Sequence, residues 1–274
     1  MQMKNKYVKL NSAFTLIELL VVISIIALLM AILMPALSQA RQMAKTLVCE
    51  SNIRGLNVAW HTYASDNDSK IPGANVYNPK EQEWIQTNKW DWAWAPWNSE
   101  GQRGGGAIID SPTIEHRKEG IRLGSLFPYT ESVDLYHCPS DKSGNFRTYS
   151  IPDSLNGTLD WGWTHLERTV QISSPSTSYN FVGEYDGRNF NRGSWALGPY
   201  KQRWQDQTWH DPISVWHRGR TNFGYVDGHV ETRKLSDETV EAFERLRAHP
   251  GTFTPVTDEG KADMKYMHDG WPEP

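Results

Sequence analysis

The sequence predicts an α+β fold in which one long N-terminal helix, half of it suited to lipid, packs on an antiparallel β-sheet domain. Three observations predict it. An apolar run occupies positions 14–37, a helical repeat continues beyond it to about residue 66, and the remainder is rich in Trp, Tyr and Gly with a strong hairpin signal.

The apolar run comes first. From Leu19 to Met34 the one polar side chain is Ser24. Phe14 to Leu37 counts 24 residues, about 36 Å as a helix at ~1.5 Å per residue, enough to cross a bilayer. Lys4, Lys6 and Lys9 precede it with no acid among them, which predicts a cytoplasmic N-terminus and a single pass. A secretory signal peptide has a shorter core and a small-residue cleavage site behind it, whereas here the helical pattern runs straight on. Leu37, Ala40, Ala44 and Leu47, then Ile53, Leu56, Trp60 and Tyr63 after a phase slip, recur at spacings of three and four. Pro35 removes an internal hydrogen bond and is expected to loosen the helix, and the stretch SDNDSKIPG at 65–73 ends it. Glu18 is out of place in this run, because a carboxylate within a membrane costs ~2.5–3.5 kcal/mol on insertion scales.

The stretch AFTLIELLVVISIIALLMAILMP resembles the processing motif of type IV pilins and type II secretion pseudopilins. The resemblance implies a 13-residue leader cut by a prepilin peptidase between Ala13 and Phe14, methylation of the new Phe14 amine, and assembly with copies of itself and other pilins or pseudopilins. Ala13 stands where the family usually has Gly, and Pro35 matches a proline common in pilins. Glu18, fifth in the mature chain, would pair with the Phe14 amine of a neighbouring subunit; the plainer alternative is a carboxylate resting near the headgroups. A subunit of this kind sits in the inner membrane with its C-terminal domain in the periplasm, until it enters a pilus-like or pseudopilus filament.

The predicted β-rich domain spans 67–235. Trp84, Trp90, Trp92, Trp94 and Trp97 crowd one segment, and alternation of Trp90, Trp92 and Trp94 places three indoles on one strand face. Such a face either stacks on the sugar rings of a polysaccharide or covers a core or interface. The GQRGGG that follows lacks the Lys-Ser/Thr and spacing of a phosphate cradle. Asp66, Asn67 and Asp68 offer oxygen ligands for calcium without EF-hand spacing, and turn or cap roles account for them as well.

The turn YHCPSD and VWHRGRTNFGYVDGHVETRK resemble segments of a bacterial group of pilin-like proteins carrying an H-x(9)-D-G element, matched here by His217, Asp227 and Gly228. In that group a Cys late in the helix and a Cys in the CPSD turn recur together, which implies a disulfide between Cys49 and Cys138; two unpaired buried thiols are the alternative. Zinc spacing is poor, and no metal site is expected. Asn222–Val226 and His229–Thr232 flank Asp-Gly, which predicts a hairpin closed by a two-residue type I′ turn. His217, Asp227 and His229 can be drawn as a metal or acid–base cluster, yet turn and loop hydrogen bonds explain the same residues.

The segment LSDETVEAFERLRAHPG predicts a short helix capped by Ser236 or Asp237, and the last twenty residues a surface strap or tail. A formal charge of -4 with scattered Lys and Arg excludes a nucleic-acid stripe. No nucleophile elbow, close metal spacing or Ser/His/Asp motif appears, so a structural subunit without a cofactor is expected, with an anchored carbohydrate binder as the alternative.

Overall fold

The structure is a computed structural model. It describes residues 15–77, 90–97, 109, 111–141, 143–157, 165–185, 194–197, 208–248 and 251–274. The chain divides into two compact units, 1–44 and 45–274.

Helix α1 (Leu16–Asp66) is continuous through Pro35. Its described residues within the first unit are exposed almost without exception, including Leu16, Ile17, Leu28 and Ile32. By length and composition this helix is long and apolar enough to cross a membrane.

Within the second unit the same helix turns amphipathic. Cys49, Asn52, Ile53, Leu56, Asn57, Trp60, Tyr63 and Ala64 are buried, a stripe at spacings of three and four that lies against a sheet. That sheet is an antiparallel meander of β3 (Tyr149–Ser150), β4 (Tyr179–Gly183), β5 (Arg220–Tyr225) and β6 (Val230–Lys234), each strand beside its sequence neighbour. Gly224 in β5 permits a close approach: a Cβ there would lie 2.6 Å from Ile53 Cγ2 and 3.1 Å from Asn57 Nδ2.

Both faces of the sheet are covered. A register shift between Tyr179 and Phe181 sends Phe181 into the cluster under α1 with Ile53, Leu56, Trp60 and Trp92. Tyr179, Val182, Phe223 and Tyr225 join the opposite cluster with Trp195, Trp209, Phe243, Met264, Met267 and Trp271. Helices α4 (Asp237–Ala248) and α5 (Asp258–Asp269) contribute to that second layer. Ser236 caps α4, its Oγ accepting from the Thr239 N–H at 3.2 Å.

Helix α5 corrects the expectation of a strap or tail. Gly260, Asp263, Met264, Met267 and His268 form its buried stripe, and Trp271 just beyond it is buried too. The polar members masked the pattern. Asp263 is satisfied from outside its own helix, accepting from the Ser236 N–H at 2.7 Å and lying 3.6 Å from the Arg233 guanidinium.

Smaller elements flank this frame. Strands β1 (Gly73–Tyr77) and β2 (Asp91–Trp94) form a parallel pair. Helix α2 (Ile114–Arg122) starts in a capping box formed by Thr113 and His116, and α3 (Phe127–Thr130) follows it.

Candidate functional site

The first candidate is the start of α1. Ala13, Phe14 and the leader lie outside the described residues. Thr15 is the N-cap. The Glu18 carboxylate accepts from the Thr15 N–H and the Thr15 hydroxyl, both at 2.8 Å, and Thr15 Oγ1 accepts from the Glu18 N–H at 3.2 Å. This is a capping box, and Thr-x-x-Glu was its signal in the sequence, which the reading of Glu18 as a charge alone passed over. The carboxylate thus rests on Thr15, the residue that follows Phe14 in the sequence, at the positive end of the helix dipole. Ser24, the other polar group of the run, donates its hydroxyl to Leu20 O at 2.8 Å, so it adds no unsatisfied donor to the apolar surface.

The second candidate gathers around the disulfide. Cys49 of α1 and Cys138 of the CPSD turn are bonded, with Cα atoms 5.3 Å apart. The bond closes a separation of 89 residues, worth about 4–5 kcal/mol on the chain-entropy account. His217 lies against it: Nε2 is 3.2 Å from Cys138 Sγ and Nδ1 is 3.1 Å from Thr46 Oγ1. Burial pushes the His217 imidazole below its usual pKa, with Glu50 opposing and Lys45 reinforcing that shift. Cys49, Cys138 and His217 are also the His/Cys/Asp/Glu group that converges tightly enough for a metal among the described residues, but there the two sulfurs are bonded to each other.

His217 and Asp227 do not form a shared cluster. They lie beyond opposite ends of β5, so the nine-residue spacing is the span of one strand with its flanking turns. The expected type I′ turn is corrected too. Of Asp227 and Gly228, Gly228 alone has positive φ, at 95°. The Gly228 N–H bonds Tyr225 O at 2.8 Å and the Tyr225 N–H bonds His229 O at 2.9 Å, which defines a three-residue loop, Val226-Asp227-Gly228, ending in a G1 bulge. Asp227 Oδ1 accepts from the His229 N–H at 3.1 Å and lies 2.5 Å from His229 Nδ1. Burial raises the Asp227 carboxyl, but the His229 N–H and imidazole outweigh it and hold the group below the usual range.

The tryptophans are not presented together. Trp92 is fully buried, stacked on Tyr136 at 5.6 Å and edge-on to Phe181 at 5.8 Å, with its Nε1–H donating to Ala74 O at 3.1 Å. Trp90 precedes β2 and is 70% exposed, while Trp94 is half-buried against Trp97. A common sugar-stacking face of Trp90, Trp92 and Trp94 is therefore corrected: the middle indole belongs to the core. Trp84 and the GQRGGG segment lie outside the described residues. Asp66, Asn67 and Asp68 form the C-terminal turn of α1, where the Asn67 amide donates to Tyr63 O at 2.8 Å and Asp68 has positive φ.

Against known proteins, residues 9–34 match the prokaryotic N-terminal methylation motif. No curated protein and no solved structure matches the chain. The motif match supports a type IV pilin-like protein, and the apolar length of α1 accords with membrane anchoring.

Proposed function

We propose that the chain is a non-enzymatic pilin-like subunit, cut before Phe14 by a prepilin peptidase, methylated there, and assembled through α1 into a pilus-like or pseudopilus filament. The N-terminus is cytoplasmic and the unit from Lys45 onward lies on the far side of the inner membrane. One observation carries the reading. The segment matching the methylation motif continues into a helix whose apolar residues are exposed on every side, with a carboxylate near its start. Such a surface needs lipid or other helices to cover it. The two hydrogen bonds from Thr15 both reach Glu18 Oε2 and leave the carboxylate's charge uncompensated. A methylammonium at a neighbouring Phe14 supplies the compensation, so assembly relieves a cost that the single subunit bears in lipid.

The test combines N-terminal mass analysis of the mature protein with electron microscopy of the same preparation. An N-methyl-Phe14 terminus within fibres is the expected result. An intact leader on a protein that never associates with itself overturns the reading.

A further inference from the structure

The disulfide is chemically asymmetric. Cys138 Sγ accepts from the Ser140 N–H at 3.4 Å and is approached by His217 Nε2 at 3.2 Å. Among the described residues no donor to Cys49 Sγ is seen. A disulfide sulfur has no proton to give, so Nε2 must carry the hydrogen of that contact. Nδ1 is then the acceptor, and the Thr46 hydroxyl must be its donor. Thr46 therefore selects the tautomer that aims an N–H at Cys138.

We propose that Cys49–Cys138 is a redox-exchange site in which His217 makes Cys138 the sulfur that carries the thiolate, the reacting partner being a dithiol or its disulfide.

In reduction, a thiolate of the dithiol attacks Cys49 Sγ during local opening of the buried pair. The Cys49–Cys138 bond breaks, its electron pair leaves on Cys138 Sγ, and a new S–S bond joins the reagent to Cys49. The reagent's second thiol gives its proton to solvent and attacks the reagent sulfur, releasing Cys49 as a thiolate that solvent protonates. The reagent leaves as a disulfide, oxidised by two electrons, and the protein gains both. Oxidation is the reverse, with the Cys138 thiolate attacking a mixed disulfide on Cys49. A lower-pKa thiol is the better leaving group, so the two donors on Cys138 set the direction of attack. In the oxidised protein His217 faces a neutral bond and burial favours the uncharged ring. Once a thiolate stands at Cys138, the His217 ring takes up a proton from solvent at Nδ1, the resulting imidazolium gains an ion partner, and the Thr46 hydroxyl rotates to accept from Nδ1. Of the charged groups on α1, Glu50 favours that cation and Lys45 opposes it; from the CPSD turn, the Cys138 sulfur and the Ser140 N–H face the pair.

The experiment uses the full chain in detergent micelles, reduced with dithiothreitol and then pulsed with iodoacetamide across a pH series, the labelled cysteine being located by mass spectrometry. The expected result is a Cys138 alkylation midpoint at least about one pH unit below that of Cys49, since a free thiol titrates near ~8.5. His217→Gln should erase the difference, and Thr46→Val should shrink it. A second measurement leaves His217 in place: with oxidised glutathione at neutral pH, Cys49→Ala should form its mixed disulfide on Cys138 about tenfold faster than Cys138→Ala forms one on Cys49. Equal midpoints for the two cysteines, or a Cys49→Ala protein whose thiolate absorbance at 240 nm rises only near ~8.5, overturn the proposal.

Discussion

Replacing Trp92 with Ala tests whether the tryptophan-rich segment is core or ligand surface. The indole is fully buried, stacked on Tyr136, edge-on to Phe181, and covered by the Arg147 guanidinium 4.9 Å from its ring. Arg147 is itself buried and donates to Tyr149 O at 2.7 Å, so it has little freedom to follow a retreating ring. Removing an indole uncovers ~150–250 Å² of apolar contact, which at ~25 cal/mol per Å² is about 4–6 kcal/mol before the cavity relaxes. Measured Trp-to-Ala changes in cores fall at ~3–5 kcal/mol. The Ala74 carbonyl also loses its donor. We expect a loss of about 4 kcal/mol, read as a lower urea midpoint by near-ultraviolet circular dichroism of the chain in detergent. Trp90→Ala, at an exposed ring, should cost under ~1 kcal/mol. A Trp92→Ala protein as stable as the parent but deficient in polysaccharide binding would refute the core assignment.

The remaining predictions concern assembly, packing and pH. Glu18→Ala should insert normally yet yield no ordered fibres in electron micrographs. Glu18→Gln keeps acceptors for Thr15 and removes the charge, so fibres from Gln but not Ala would show that capping, not charge, is what matters. Gly224→Ala places a Cβ against Ile53 and should cost about 1–3 kcal/mol by urea unfolding, with Gly224→Ala/Ile53→Ala costing less than the sum of the single changes. Acid should weaken the domain in two stages. His217 is held neutral with its pKa below the unfolded value, so its contribution is complete above ~6.5 and falls away as pH drops through the lower folded value. Asp227 is likewise depressed, and its contribution is lost below ~4. In His217→Gln the first stage should vanish from a plot of urea midpoint against pH while the second remains.

Helix α1 was legible because its evidence is local. The apolar run, the later repeat of Ile53, Leu56, Trp60 and Tyr63, and the turn after Asp66 all lie in order along one segment. The hairpin was legible from Asp227-Gly228, but its loop type was not. Which residues close the loop depends on how Tyr225 and His229 pair, and the tip is held by bonds from the Val226 and Asp227 N–H groups to Ser178 O and Pro175 O. Helix α5 was hidden because its buried stripe includes Gly260, Asp263 and His268. A buried Asp is readable as core only once Ser236 and Arg233 are known to face it.

The sequence by itself determined the membrane-compatible helix, the matching methylation segment and the odd carboxylate at Glu18, because lipid and the helical repeat act on neighbouring residues. Tertiary structure alone decided that Trp92 is core, that His217 and Asp227 stand apart, and that His217 rests on the disulfide. Burial at those positions is set by partners far away in the chain, such as Phe181 for Trp92 and Thr46 for His217. No local pattern encodes them.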